Sequence, residues 1–298
     1  MRTGQRRLPL NPTYVDIGEL GWSLYLSAHV RWVYEQGCRP EVFAPVDRCP
    51  LYMDCVECVT YVPRPFYEQF GQYSQNGFGL YGVGHQRLLD WFRPHFSREH
   101  VWNGYQQFGC HWLDREEMIF RPYGYRHEYP GRRILVFPRQ RSTYYPSDSH
   151  AKKHPKHLEK RNLPAAYYQR LVERLCVQHP DHIVTVVGKT GGVCEVRAPA
   201  VGRFESWVKP DGSIQELIDL CQYASCAIGG TSAPPKITML QGVPTAVIGH
   251  EKQRFGVDEN WLDTLMWFYE VPEAGDYSQL DIEDCVERTC AFVEKVVT

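Results

Sequence analysis

The feature that most constrains the fold is an ordered run of elements over residues 213–249, SIQELIDLCQYASCAIGGTSAPPKITMLQGVPTAVIG. Ser213 and Glu216 have the spacing of a capping box, which predicts the start of a helix. Short apolar runs predict buried strands over residues 226–228 and 243–248. A short helix is predicted over residues 236–241, ending at Gly242. This alternation of helices and apolar strands is typical of an α/β domain with a parallel sheet.

The loop between the two predicted strands has the composition of a phosphate site. Gly229 and Gly230 let the backbone approach a ligand closely, and Thr231 and Ser232 add hydroxyl donors. Lys236 adds a full positive charge near the start of the helix, where backbone N–H groups are unpaired and the helix dipole is positive. The loop therefore predicts binding of a phosphate or diphosphate. An ordinary strand-to-helix turn is the alternative.

The beginning of the chain predicts a second α/β unit. A strand ending at Asp16 or Ile17, a turn over residues 18–21, a helix over 23–36 and strands over 41–46 and 56–62 make a βαβ unit. Residues 63–130 are rich in aromatic residues and glycine, which suits either a ligand-binding surface or ordinary packing. A clean apolar strand over 134–138 places the domain boundary near residue 130.

Composition excludes several classes of protein. The net charge of −2 gives no general attraction to nucleic acid or membrane. No apolar run is long enough to span a bilayer, and the basic N-terminus lacks the apolar stretch of a secretory signal, which predicts a cytoplasmic protein.

The 11 cysteines favour reduced thiols. Cys55 and Cys58, with Cys49 upstream, have a metal-knuckle spacing but no second close pair, so no metal site is predicted.

The loop and the helix after it also resemble a known family. GTSAPPK at residues 230–236 and LQGVP at 240–244 resemble the donor-binding segment of GT-B-fold glycosyltransferases, especially the heptosyltransferase-like ones. The family pattern has Asp where this chain has Thr231, and His where it has Lys236. A lysine still binds phosphate as a point charge. The resemblance is strongest over residues 133–249.

The resemblance implies two Rossmann-like domains that face each other across a cleft. Residues 1–130 would form the acceptor-side domain, and residues 131–298 the nucleotide-sugar-binding domain. A terminal helix predicted over 278–297 would pack back on the junction. The predicted donor-binding residues lie after strands and at the start of the short helix: Arg139, Arg141, Lys189, Gly230, Thr231, Ser232, Lys236, Glu251 and Arg254.

The implied activity is transfer of a hexosyl, pentosyl or heptosyl group from a nucleotide-diphosphate sugar to an acceptor hydroxyl, with neither metal nor cofactor. Such a reaction needs a base to take the proton of the attacking hydroxyl. Glu19 and Asp16, at the first turn, are the candidate carboxylates.

Two alternatives remain open. The basic run HAKKHPKHLEKR at residues 150–161 would suit a phage-type enzyme that adds a sugar to a hydroxymethylated base in DNA, and steep loss of DNA binding with salt would identify it. A protein of the same fold that only binds a nucleotide or glycan, without catalysis, is the other alternative.

Overall fold

A computed structural model describes residues 13–16, 20–70, 87–88, 90–91, 123–140, 162–249, 266–271, 277 and 280–297. The chain forms two compact units, Met1–Gly124 and Tyr125–Thr298. Both are built on parallel sheets, so the α/β class predicted from the sequence is confirmed.

The first unit contains a three-stranded parallel sheet in the order β1-β2-β3. Its strands are β1 (Thr13–Val15), β2 (Glu41–Pro45) and β3 (Val59–Val62). Helix α1 (Leu20–Glu35) joins β1 to β2, and Gly37, with φ of +81°, follows its end. The predicted βαβ unit is therefore present. The helix begins three residues earlier than predicted, because Leu20 and Leu24 already share its buried face.

The connection from β2 to β3 differs from the prediction. Consecutive 3₁₀ turns cover Val46–Cys58, so β3 begins three residues later than the predicted strand over 56–62. Pro50 lies inside this segment and cannot donate a backbone hydrogen bond, which suits short turns better than a strand. A one-turn helix, α2 (Arg64–Glu68), follows β3.

The second unit contains a six-stranded parallel sheet in the order β6-β5-β4-β7-β8-β9. Its strands, in chain order from β4 to β9, are Arg133–Phe137, Ile183–Lys189, Arg203–Lys209, Ala224–Gly230, Thr245–Gly249 and Met266–Glu270. This is the strand order of the doubly wound Rossmann fold. The strands predicted over 134–138, 226–228 and 243–248 are confirmed.

Four helices of this unit are described. They are α3 (Ala165–Gln178), α4 (Ile214–Cys221), α5 (Ala233–Leu240) and α6 (Ile282–Val297). Helices α3 and α6 pack together on the sheet, and the hydroxyls of Tyr167 and Thr289 join them at 3.0 Å. The face of α3 that packs on the sheet is apolar, and its Leu171 and Leu175 are fully buried. The core of the unit lies between these helices and the sheet.

Helix α5 begins earlier than the sequence predicted. The prediction placed Pro234 and Pro235 before a helix starting at Lys236, whereas both prolines lie in its first turn. Proline is tolerated there because the N–H that it lacks has no partner within the helix. The end is as predicted, since Gly242 has φ of +75°.

The described cysteines are thiols, and burial raises the pKa of Cys55 to about 12. Within the described ranges, no group of three or more His, Cys, Asp or Glu side chains is arranged to hold a metal ion. Nor does any helix of the described residues have the length and apolar character needed to cross a bilayer.

Candidate functional site

The strand order of the second unit has a switch point between β4 and β7, where open α/β sheets have a crevice. From this pair the chain winds outward in opposite directions, to β5 and β6 on one side and to β8 and β9 on the other. Ligands of open α/β sheets bind at such a switch point, outside the carboxyl ends of the strands. Arg139 follows β4 there, and Thr231 and Ser232 follow β7. Folding therefore brings the loop that the sequence singled out to the expected ligand site.

Two glycines shape this crevice by permitting close contacts. A Cβ atom at Gly229 would lie 2.8 Å from Pro235 Cγ and 3.1 Å from Phe137 Cβ. Glycine at this position thus lets the first turn of α5 pack against β4. A Cβ atom at Gly249, where β8 ends, would lie 2.7 Å from Thr231 Cγ2. The side chain of Thr231 therefore rests directly on the end of β8.

The N-terminus of α5 offers fewer backbone N–H donors than the sequence suggested. Ser232 occupies the N-cap position without capping the helix, and its hydroxyl donates to the carbonyl of Gly230 at 3.3 Å. Pro234 and Pro235 lack the N–H groups that the first turn of a helix normally offers. The other hydrogen-bond donors at this turn include the hydroxyls of Thr231 and Ser232 and the side chain of Lys236, a half-buried residue.

The N-terminus of α4 satisfies its own donors. The predicted capping box is confirmed: Glu216 N–H donates to Ser213 Oγ at 3.1 Å, and Ser213 N–H donates to Glu216 Oε2 at 3.0 Å. Lys209 Nζ donates to Glu216 Oε1 at 2.7 Å and lies 4.0 Å from the ring centre of Trp207. Partial burial alone would raise the pKa of Glu216, but these hydrogen bonds outweigh burial and the pKa is lowered. Because Lys209 forms an ion pair with Glu216, its positive charge is already balanced by that carboxylate.

Arg139 lies at the crevice as a fixed side chain. It is only 8% exposed, and its Nη1 donates to Asn162 Oδ1 at 2.6 Å. Its backbone pairs with Val193, and the amide of Gln140 donates to Gly192 O at 3.0 Å. The loop after β5 is thereby tied to the end of β4, which holds Arg139 in place.

Lys189 is the last residue of β5, at the same edge of the sheet. Next to it, a Cβ atom at Gly188 would lie 2.2 Å from Val193 Cγ1, so the loop folds tightly back over the strand end. The carboxyl edge of the second unit thus gathers the predicted residues Arg139, Lys189, Gly230, Thr231, Ser232 and Lys236. The predicted residues Glu19, Arg141, Glu251 and Arg254 lie outside the described residues.

Asp16 follows β1 in the first unit and is 1% exposed. Its Oδ1 accepts from Ser23 Oγ and its Oδ2 from Tyr52 Oη, each at 2.7 Å, and Tyr67 Oη donates to its carbonyl at 2.9 Å. Burial, and then the charge of Asp16, raises the pKa of Tyr52 well above its usual value, so this phenol stays a donor. The arrangement favours a role for Asp16 in fixing the start of the first turn. Its role as a base stays a prediction.

Sequence patterns alone did not identify several of these contacts. Asn162, Gly249 and Tyr52 contact predicted site residues from far along the chain. Of these, only the glycine at a strand end carried a local signal, since such a glycine often marks close backbone approach.

No protein-family model matches the chain, and a search of curated proteins gives no significant match. Solved glycosyltransferase structures are similar to it. TibC, an iron-containing dodecameric glycosyltransferase from enterotoxigenic E. coli, superposes with a TM-score of 0.51 at 12% identity, over 96% of this chain and 75% of TibC. The chain has a glycosyltransferase-like fold.

Two further glycosyltransferase structures are similar to the chain. TibC in complex with ADP-D-β-D-heptose gives a TM-score of 0.50 at 12% identity, over 98% of this chain and 76% of that one. E. coli heptosyltransferase WaaC with ADP gives 0.49 at 10% identity, over 95% and 99%.

Proposed function

We propose that this protein is a glycosyltransferase that moves a sugar from a nucleoside-diphosphate sugar to an acceptor hydroxyl. The observation that carries the proposal is the loop of Gly230, Thr231 and Ser232 at the switch point of the six-stranded sheet. A glycosyltransferase-like fold supports it, as does the nucleotide-sugar complex recorded for TibC. In a GT-B arrangement, residues 1–130 would form the acceptor side and residues 131–298 the donor side.

The donor diphosphate would bind chiefly through side chains. Because prolines remove amide donors from the first turn of α5, the hydroxyls of Thr231 and Ser232 and the charge of Lys236 would supply most of the attraction there. Arg139 and Lys189, with Arg141 and Arg254, would add positive charge around the leaving diphosphate. Fixed charges are most effective where negative charge develops in the transition state. Glu251 would bind hydroxyls of the sugar.

Glu19 is the better candidate than Asp16 for the base. Asp16 is buried, and both oxygens of its carboxylate already accept hydroxyl hydrogen bonds from Ser23 and Tyr52, which leaves it poorly placed to take a proton from an acceptor. We therefore assign proton removal from the acceptor to Glu19.

The proposed reaction needs no metal, because lysine and arginine carry the positive charge. Equal transfer rates with EDTA and with added divalent cations would support this; loss of activity in EDTA would contradict it.

A donor-binding screen tests the proposal. Purified protein is heated with ADP-, GDP-, UDP- and dTDP-sugars and with the free diphosphates. A ligand present at 100 times its Kd stabilises the folded state by about 2.7 kcal/mol, so one family of donors should raise the melting temperature clearly. We expect Lys236→Ala to lower the affinity for that donor at least tenfold, because a hydrogen bond to a charged group contributes about 1.5 kcal/mol. Lys295→Ala, an exposed lysine near the end of α6, is the matched control.

Transfer itself separates the remaining alternatives. With the donor identified, Glu19→Gln should abolish transfer and leave donor binding intact. A donor that binds but is never transferred or hydrolysed would indicate a binding protein instead. Salt-sensitive retention on DNA, with transfer to hydroxymethylated bases, would indicate the DNA-modifying enzyme. No stabilisation by any of the donors would overturn the proposal.

A further inference from the structure

Two cysteines of the first unit lie three residues apart in the connection from β2 to β3. Cys55 and Cys58 belong to the consecutive 3₁₀ turns over Val46–Cys58. Because a 3₁₀ helix has three residues per turn and rises about 2 Å per residue, side chains at positions i and i+3 lie on the same side of it. We expect the two Cα atoms to be about 6 Å apart, within the range that a disulfide bond spans.

The turn between these cysteines is closed and anchored. Cys55 itself departs from helical geometry, with φ of −139° and ψ of 36°, but the Cα separation is set by the two residues in between, which keep helical angles. The N–H of Val59 donates to the carbonyl of Val56 and closes the turn. From α1, Tyr34 Oη donates to Glu57 Oε1. The turn is thus held against α1, with both cysteines at its ends.

The two thiols differ in how easily reagents reach them. Cys55 is fully buried, whereas Cys58 is half-buried, and neither is in a disulfide bond. Burial, and then the charge of the Cys58 thiolate, raises the pKa of Cys55 to about 12. An effect of one charge on the other requires that the two sulfur atoms lie near each other. A reagent would therefore meet Cys58 first, with Cys55 beside it as a second thiol.

We propose that Cys55 and Cys58 are a reversible redox pair, which a small-molecule disulfide such as oxidised glutathione converts to an intramolecular disulfide. The Cys58 thiolate attacks one sulfur of the reagent, and the other sulfur leaves and takes up a proton. Cys55 then loses its proton and attacks the Cys58 sulfur of the mixed disulfide, releasing the second glutathione thiol. The protein loses two electrons and two protons, and the reagent gains them as two thiols.

A glutathione redox titration of the full chain tests the proposal. The protein is equilibrated with mixtures of reduced and oxidised glutathione, the remaining thiols are alkylated in denaturant, and the chain is cleaved after Asp54 and Glu57. Cys49, Cys55 and Cys58 then lie on three different peptides, so mass spectrometry identifies a linked pair directly. We expect the Cys55 and Cys58 peptides to be joined in oxidising mixtures and to separate again after treatment with dithiothreitol.

Variants test the order of the two steps. Cys55→Ala should stop at a mixed disulfide between glutathione and Cys58, whereas Cys58→Ala should leave Cys55 reduced. Cys49→Ala removes another half-buried cysteine of the same 3₁₀ segment and should form the disulfide as wild type does. The wild-type digest decides the proposal even where Cys55→Ala fails to fold. No linked peptides in wild type, glutathione retained on Cys58, or a bond from Cys58 to a different cysteine would each overturn it.

The pH dependence of the first step identifies the attacking group. Burial and the charge of Glu57 raise the pKa of Cys58, and the charge of Arg39 opposes this shift, so the Cys58 thiolate is scarce at neutral pH. The rate of oxidation should therefore rise about tenfold from pH 7 to pH 8, because only the thiolate attacks a disulfide. An unchanged rate would overturn the proposed step. No nucleotide or sugar takes part, so the proposal stands or falls independently of the proposed transferase.

Discussion

At the scale of single residues, the crevice depends on positions where even one added carbon atom would collide. Gly229 lies between Pro235 and Phe137, and Gly249 lies against Thr231. Neither contact involves the ligand directly. Both set the distance between the loop after β7 and the strands beside it, and a protein interior is packed too densely to absorb such a change freely.

Gly249→Ala should weaken nucleotide-sugar binding without removing any hydrogen-bonding group from the proposed site. The new methyl would meet Thr231 Cγ2 at 2.7 Å, so Thr231 must move, and overpacking of this kind costs about 1–3 kcal/mol of stability. We expect a lower melting temperature and a several-fold weaker nucleotide-sugar affinity, both measured by thermal shift. Gly124→Ala, where no atom lies within 4 Å of the new Cβ, should change neither. Unchanged affinity in a folded Gly249→Ala protein would remove Thr231 from the proposed site.

At the scale of elements, the helices that start at the carboxyl edge of the second sheet are not equivalent. The N-terminus of α4 is closed by its own capping box. Helices α3 and α5 have Pro164 and Ser232 at their N-cap positions and no side-chain cap. An uncapped N-terminus at a ligand-binding edge retains its attraction for anions. The capped helix is therefore a structural element, and the other two flank the switch point.

Ser213→Ala should destabilise the second unit through α4 alone. Loss of an N-cap side chain costs about 1 kcal/mol, whereas replacement by glycine costs only a few tenths. Urea unfolding should therefore rank wild type above Ser213→Gly and Ser213→Gly above Ser213→Ala. Nucleotide-sugar affinity should stay the same in both variants. A fall in affinity would show that the α4 terminus takes part in the donor site.

At the scale of the whole molecule, the two edges of the second sheet have different chemistry. The carboxyl edge gathers hydroxyls and cations, whereas His179 and His182 lie at the amino edge with their rings 6.0 Å apart. His182 Nε2 is 3.2 Å from Ser225 Oγ at the start of β7. Burial lowers the pKa of both histidines. At His182, the charges of His179 and Arg132 lower the pKa further, and the charge of Asp181 opposes this shift. At His179, the charge of Glu294 opposes the lowering of the pKa by burial.

These lowered pKa values predict that the protein loses stability in mild acid. A histidine that binds its proton less readily when folded favours the unfolded state once the pH falls below its ordinary pKa of about 6.5. The free energy of unfolding in urea should therefore be constant from pH 8 to 7 and fall from pH 6.5 to 5.5. The double variant His179→Gln with His182→Gln should show a flatter profile over that range. An identical fall in the double variant would assign the pH dependence to other groups.

The elements were largely determined by the sequence, because their signals are local. Ser213 and Glu216 form the predicted capping box, Gly37 and Gly242 end helices with positive φ, and apolar runs became buried strands. The predicted boundaries were misplaced where a local signal is compatible with two structures. A proline pair marks either a break or the first turn of a helix, and only packing of Pro235 over Gly229 decided in favour of the turn.

Only the tertiary structure decided which of these elements meet. The order of the strands brings the ends of β4 and β7 together, joining residues that are about ninety positions apart in the chain. Asn162 holds Arg139, and Tyr52 and Ser23 hold Asp16. Such contacts form because burying apolar faces on both sides of a parallel sheet fixes one strand order. The polar groups at the strand ends then find partners that no local sequence pattern encodes.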